Sequence, residues 1–468
     1  MEQMNMLRSE ITSYLERSNC SLQEFSKLTG LNKGTLSAIL RYRDPKPLSL
    51  KALDAITEAM GHPAGWLYPL YLDECLIDQK WKLSRVKAYL LRCARLGRTD
   101  CIMAALPLIL DDLSSIPVIF AAGEELYREG EMEQAALFYE AVAESEQFQH
   151  SERLAISHYR LFQIHTETDQ EESLRAAIRF EPFRKRLPED DQLDALLQLI
   201  NVYYSLNQWE RVLELTDELS SFTTSIYTYD YDRQAYDENE RRTKYPLVVY
   251  YGYAYLMKAA VCDKQKKYAE AKRHTEKYAD LSWFKGLGPA GWQEVDRFKT
   301  WAKANMLAYE LMLGKADIMW DYIRHIEHDP DEILPALEKI MGAANEFNLD
   351  VDLILHYFKG QIESYTDSQN VTNSYYHKQF SMERFVNFCY ETSIYYFQRS
   401  NFENGVKFIL QSLSSAIRMN NKAGFIKCVT LFEEYRDCIR VEDQREYENM
   451  IKGVRKNAEN ENLFVTYA

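Results

Sequence analysis

Polar side chains suited to hydrogen-bond recognition crowd into one short stretch of this 468-residue chain, SLQEFSKLTGLNKGTLSAIL at 21–40. Lys33, Gly34, Thr35 and Ser37 bring an ammonium, a bare backbone and two hydroxyls together, and Arg41 and Arg43 follow. Such groups donate to and accept from another molecule's polar edges. Bond-making chemistry has no comparable support. A phosphate-cradling Gly-rich loop, an HExxH pair and a nucleophile elbow are all missing from the sequence. His325 and His328 in HIEHD stand three apart, a conceivable metal pair, but no further ligand follows at supporting spacing. We therefore expect no metal site, no cofactor and no enzymatic role.

The surrounding elements read as two short helices and a tight turn. Ser21 is a natural N-cap, with Leu22, Phe25 and Leu28 along one apolar face. Gly30 falls where the turn needs a positive φ, and Leu31 anchors that turn in the core. Asn32 caps a second helix whose Leu36, Ile39 and Leu40 point inward. Lys33, Gly34, Thr35 and Ser37 are left on the outer, N-terminal face, which a helix-turn-helix inserts into the major groove. Arg41 and Arg43 lie at the helix end, placed for phosphates. Met4 to Leu15 and LSLKALDAITEAMG (48–61) supply flanking helices that close a domain of four or five.

Hydrophobic residues make up 46% and charged residues 27%, which excludes a disordered or membrane protein. No apolar run approaches the roughly 20 residues of a membrane helix. The start, MEQMNMLRSEITSY, lacks a signal peptide's apolar stretch, so a cytoplasmic location is expected. Eight scattered cysteines with no close pair predict reduced, mostly buried thiols. The net charge of −15 is unevenly spread. Residues 1–69 hold eight Lys/Arg against seven Asp/Glu, leaving 48 against 64 for the rest. A near-neutral reader with a few placed cations can still bind DNA, and an acidic body helps it reject non-specific sites.

Helical periodicity dominates, so the fold class expected is all-α. GHPAGWLYPL (61–70) marks the first break, giving a domain at 1–69, a linker helix at 70–99 and a repeat region at 100–468. KWKLSRVKAYLLRCARLGR (80–98) carries seven Lys/Arg and no acid, with Trp81, Leu83, Val86, Leu90 and Leu91 on one face. It reads as a linker helix with a solvated basic face, or one whose cations touch DNA phosphates. Beyond it helix pairs recur. In AAGEELYREGEMEQAALFYEAV (121–142), Gly123, Tyr127, Gly130, Met132, Ala135 and Tyr139 sit where a tetratricopeptide hairpin uses small or aromatic residues. Weaker units centre on 169–178, 207–215, 266–278 and 400–413. Ala135, Ser173, Val212 and Ala271 as equivalents are spaced by 38, 39 and 59 residues. The last gap holds an insertion, SFTTSIYTYDYDRQAYDENERRTKYP (221–246), with five tyrosines, read as a long loop in preference to an extended hairpin. TDSQNVTNSYYHKQ (366–379) reads as a mobile loop between repeats.

A superhelix of such pairs is lined by the first helix of each. Counting back from the small positions places Phe120, Glu124 and Tyr127 on that wall, then His158, Phe162 and His165, then Leu197, Asn201 and Tyr204, then Asn387, Tyr390 and Phe397. Asn305 is a further candidate in poorer register. Aromatics mixed with Asn suit an extended peptide, because an amide both donates to and accepts from a peptide backbone. Each Asn taken alone also reads as an ordinary inter-helix amide, and His158 with His165 as packed or wall-lining rather than catalytic.

Residues 1–65 resemble the Cro/repressor-like (Xre-type) helix-turn-helix family, through the small-x-x-x-Gly spacing Ser26 to Gly30 and the segment Leu36 to Leu40. The resemblance makes Lys33, Gly34 and Ser37 base-edge candidates, with Thr35 beside them. Many members place a phosphate-touching Gln where this chain has Leu22, so backbone anchoring falls to Ser21, Gln23 or the arginines. Such a reader joined to a degenerate tetratricopeptide array resembles the RRNPP receptors (Rap, Rgg, NprR, PlcR and PrgX types) of Gram-positive bacteria. That likeness implies a right-handed α-superhelix, a short signalling peptide as ligand in quorum sensing, a homodimer on a two-part operator, and no membrane. Two alternatives stand beside it. One is a repeat module that sequesters a protein partner; the other is a phage- or plasmid-type repressor without a small ligand.

Overall fold

Apolar residues at three- and four-residue spacing fold into helices along the chain, as expected for the all-α class. A two-residue antiparallel ladder, Leu76 opposite Trp81 and Ile77 opposite Lys80, is the exception among the described residues. The computed structural model describes residues 2–41, 45–77, 80–166, 170–232, 241–367 and 378–464. Arg43 therefore lies outside the described residues, as does most of 366–379. The chain divides into two compact units, Met1–Glu167 with Ile178–Leu187, and Thr168–Ala177 with Pro188–Ala468.

The first unit contains α1 (Glu2–Arg17), α2 (Leu22–Thr29), α3 (Lys33–Ile39), α4 (Leu50–Ala59), α5 (Leu83–Arg95), α6 (Thr99–Leu110), α7 (Ile116–Glu129), α8 (Met132–Ser145) and α9 (Glu152–His165). Helix α10 (Gln170–Phe180) is shared between the units at Ala177. One hydrophobic core runs from Leu7, Ile11 and Phe25 through Leu53 and Tyr89 to Leu126 and Phe138. The expected boundaries at 69 and 99 do not interrupt it. Helix α5 is a core element, with Val86, Tyr89, Leu90 and Cys93 buried. Its basic side chains stay partly exposed, as a solvated face requires, but several of them are paired with acids. Lys87 pairs with Glu125 at 2.8 Å, Arg92 with Asp54 at 3.4 Å and Arg95 with Glu129 at 2.7 Å. Arg85 donates to the Glu74 carbonyl at 2.8 Å. The segment looked unpaired in sequence because several of its partners lie more than 30 residues away. The cysteines are all unlinked. Cys93 and Cys101 nevertheless lie close enough for each thiol to shift the other's ionisation, a proximity that their eight-residue separation concealed.

In the pair α7–α8 the chain turns at Gly130, whose φ of 85° only glycine takes without strain. Ala135 and Tyr139 are fully buried between the helices. A Cβ at Gly123 would lie 3.1 Å from that of Phe138, so the small residue lets the two backbones close.

The second unit continues with α11 (Glu189–Ser205), α12 (Trp209–Asp232), α13 (Leu247–Lys264), α14 (Tyr268–Glu276), α15 (Pro289–Met312), α16 (Met319–Ile326), α17 (Pro330–Phe347), α18 (Asp352–Tyr357), α19 (Lys359–Asp367), α20 (Lys378–Gln398), α21 (Phe402–Arg418), α22 (Lys422–Glu434) and α23 (Val441–Phe464). Successive helices pack on one another, and Ser173, Val212 and Ala271 are essentially buried. The loop expected at 221–246 is overturned in its first half, where α12 runs on to Asp232. Leu219, Thr223, Ile226 and Tyr227 recur at helical spacing and are buried, and this stripe outweighs the tyrosine-rich, charged composition. Beyond the break, Arg241 returns to Glu189 and Asp190, both at 2.9 Å.

Candidate functional site

The residues singled out for recognition are assembled by local capping chemistry. The Ser21 hydroxyl accepts the Glu24 N–H at 3.3 Å, and Glu24 in return accepts the Ser21 N–H at 2.9 Å. Helix α2 ends at Gly30 with φ 66°, as the turn required. Thr29 Oγ1 accepts the Leu31 N–H at 3.2 Å and the Ser26 hydroxyl donates to the Leu31 carbonyl at 2.5 Å, which fixes the turn. Asn32 accepts the Gly34 N–H at 2.7 Å and starts α3. Leu36 and Ile39 are buried, so the opposite face is committed outward. Asn32, Lys33, Gly34 and Ser37 are exposed, Thr35 is half-buried, and Ser21, Gln23 and Arg41 are exposed. Leu28 is a correction. Expected inside, it is 62% exposed, because Phe25 and Thr29 already fill the inner face of this eight-residue helix.

One buried ion pair escaped the sequence reading. The Arg8 guanidinium donates to Glu74 at 2.5 Å and to the Ile39 carbonyl, at the end of α3, at 2.9 Å. Glu74 also accepts the Leu48 N–H at 2.7 Å. The two side chains are 9% and 1% exposed. They fix α3 against α1 and the segment before α4. A lone Arg within the apolar stripe of α1 was the available signal, but its partner is 66 residues away.

The wall residues fare unevenly. In the first unit, Phe162 is a correction: it is buried and stacked on Phe180 at 5.2 Å, so it belongs to the core. His158 stacks on Phe183 at 4.0 Å, and burial holds its pKa down at about 4, so it is neutral near pH 7. His165 is half-buried in the last turn of α9. Glu124 is engaged by Arg160 at 3.0 Å and by the Tyr139 hydroxyl at 2.6 Å. Tyr127 donates to Gln163 at 3.0 Å.

In the second unit, Leu197, Asn201, Tyr204, Asn305, Asn387 and Tyr390 are all half-buried. Each of the three amides bonds a neighbouring element: Asn201 accepts from Tyr253, Asn305 donates to Tyr278 at 2.8 Å, and Asn387 donates to Glu338 at 3.1 Å. Phe397 is a correction, buried in the core and stacked on Tyr435 at 4.4 Å. Gly405 admits its ring, since a Cβ there would collide with it.

Around Asn387 stands a charged group that the sequence reading missed. The Lys264 ammonium lies 3.8 Å from both Glu338 and Glu383. Burial opposes ionisation of both acids. The cations at Lys264, Lys339 and Arg384 nonetheless carry Glu338 below its usual value, whereas Glu383 stays above its own. Tyr204 feels the same charges. Single charges inside apolar runs, such as Glu338 in LPALEKIM, were the legible signal.

No family model matches the chain, and no curated protein does. Among the described residues no single helix is long and apolar enough to cross a membrane. His325 bonds the Thr300 carbonyl at 3.0 Å while His328 faces Glu327, so this pair does not converge on one point. The chemistry on display is of two kinds: an exposed, rigidly capped donor–acceptor face on α3, and half-buried amides and charges between helices of the second unit.

Proposed function

We propose that this chain is a DNA-binding transcriptional regulator whose repeat region binds a short signalling peptide and thereby alters operator binding. In fold terms it is an Xre/Cro-like helix-turn-helix followed by a tetratricopeptide-like superhelix. The carrying observation is the outer face of α3. Lys33, Gly34 and Ser37 are exposed on a helix whose opposite side is sealed by Leu36 and Ile39 and whose start is fixed by the Asn32 cap. A recognition helix needs that combination, because base edges are read by side chains held in fixed register.

For the peptide, the support is chemical. Asn201, Asn305 and Asn387 each reach a neighbouring segment through a bond of their amide. An amide has capacity for more, and a prior bond orients it for a peptide backbone. The RRNPP likeness adds a homodimer on a two-part operator. Fluorescence anisotropy of the full chain on duplex DNA from upstream of its own gene tests the reading. Saturable binding, lost in the Lys33→Ala, Ser37→Ala double variant and changed by a peptide encoded nearby, is the expected result. Equal binding to unrelated duplexes by both proteins defeats it.

A further inference from the structure

Cys262 is a core thiol by burial, 5% exposed in the last turn of α13. Two further ligand types come to meet it. Glu270 and His274 stand four residues apart on α14, hence on one face of that helix, and both are half-buried. The Cys262 sulfur, a Glu270 carboxylate oxygen and a His274 ring nitrogen all lie within 4.8 Å of one another. We infer that Cys262, Glu270 and His274 form a binding site for a thiolate-preferring divalent transition metal of the zinc class.

Geometry sets the demand. Bonds of about 2.0–2.3 Å in a tetrahedron put ligand atoms roughly 3.5 Å apart. Side-chain rotation of Glu270 and His274, which sit on the solvent side, closes the remaining distance. Cys262 is on the last turn of α13 and its partners are on the next helix, α14. Thiolate, imidazole and carboxylate together suit zinc or cobalt and disfavour magnesium and calcium, which take oxygen ligands only. Three protein ligands leave a fourth place for water. That pattern belongs to exchangeable or reactive ions more than to closed structural sites.

Charged side chains surround the group. Lys258, which faces His274, is held by Asp217 at 2.7 Å and lies 3.4 Å from the Ser220 hydroxyl. Lys267 and Arg273 add positive charge and Asp263 negative charge near Cys262. On binding, the thiol gives its proton to solvent and the thiolate sulfur displaces a water from the hydrated ion. The inference stands apart from the DNA reading, since it uses neither α3 nor a peptide.

Cobalt(II) titration of the full-length protein, stripped with a chelator, tests it. A saturable sulfur-to-cobalt charge-transfer band at one equivalent per chain is expected, displaced by zinc and untouched by magnesium. Cys262→Ser should abolish the band. His274→Gln and Glu270→Gln should each weaken binding by about tenfold or more, and these half-exposed positions decide the matter if the cysteine variant fails to fold. Absence of a thiolate band overturns the assignment. A band that survives Cys262→Ser, or affinity unchanged in both other variants, overturns it equally.

Discussion

Replacing Glu74 with Ala isolates the buried pair that fixes α3. The change removes the acceptor of Arg8 at 2.5 Å and the acceptor of the Leu48 N–H at 2.7 Å. Arg8 keeps the Ile39 carbonyl at 2.9 Å and the Lys46 carbonyl at 3.4 Å, but its charge, 9% exposed, loses the Glu74 carboxylate. Breaking a buried pair from one side costs about 3–5 kcal/mol, because the survivor stays desolvated. Two compact units make a single global unfolding curve a poor gauge, so local opening is the better readout. Hydrogen exchange of amides in α1, α3 and 46–50 should speed up by roughly a hundred- to a few thousandfold. Amides of α20 and α21 should not respond. The double change Arg8→Met, Glu74→Leu removes both charges at once and should recover much of the protection, although the Leu48 N–H stays unpaired. If Glu74→Ala accelerates exchange by less than about tenfold, or if the double variant opens more than the single one, the pair is not what holds α3.

Lys33→Ala and Ser37→Ala should each cost about 1–3 kcal/mol of specific DNA affinity and relax preference at one base position, measured by anisotropy over mutated duplexes. His158 gives a pH effect with a definite sign. Its folded pKa of about 4 lies below the ordinary 6.5 of a free imidazole, so as pH falls from 6.5 towards 4 the unfolded chain takes up a proton that the fold refuses. The first unit should lose up to about 3 kcal/mol across that window, and His158→Phe should flatten the difference in exchange rates between pH 7 and pH 5. Gly252→Ala should destabilise the α13–α15 packing by about 1–3 kcal/mol, because the new Cβ would sit 2.7 Å from the Phe298 ring; faster hydrogen exchange of α13 and α15 amides checks it. The salt dependence of DNA binding should be shallow, a slope near −3 per chain in a plot of log affinity against log salt, if about three phosphates are neutralised. A slope near −8 would mean that the α5 cations also reach DNA.

The local grammar of the 21–40 stretch was legible because its determinants are close in sequence. Ser21, Gly30 and Asn32 each act on atoms two or three residues away, and all three took the conformations their types predict. Long-range packing was less legible. Phe162 and Phe397 sat at the right spacing for a lining face, yet Phe180 and Tyr435 cover them, and no periodicity within their own helices announces those partners. The α5 cations misled for the same reason, since Glu125 and Glu129 that neutralise them belong to another helix. Composition misled at 221–232, where tyrosine and charge suggested a loop. The buried stripe of Leu219, Thr223, Ile226 and Tyr227 needed only the helical count to be extended.

These pairings change how the acidity of the chain bears on DNA. Counted by sequence, residues 80–98 are the richest basic segment, the natural place to look for phosphate contacts. Counted by structure, Lys87, Arg92, Arg95 and Arg98 already face Glu125, Asp54, Glu129 and Asp100. Moving any of them to a phosphate means trading one ion pair for another, with little net gain. Exposed positive charge then remains near the motif itself, on Lys27, Lys33 and Arg41, and just ahead of α5 on Lys80 and Lys82. On the proposed reading, so few phosphate contacts would leave non-specific binding weak and draw discrimination from base edges instead. Two readers acting together would multiply that discrimination, which is a physical reason for such a chain to work as a dimer on a two-part site.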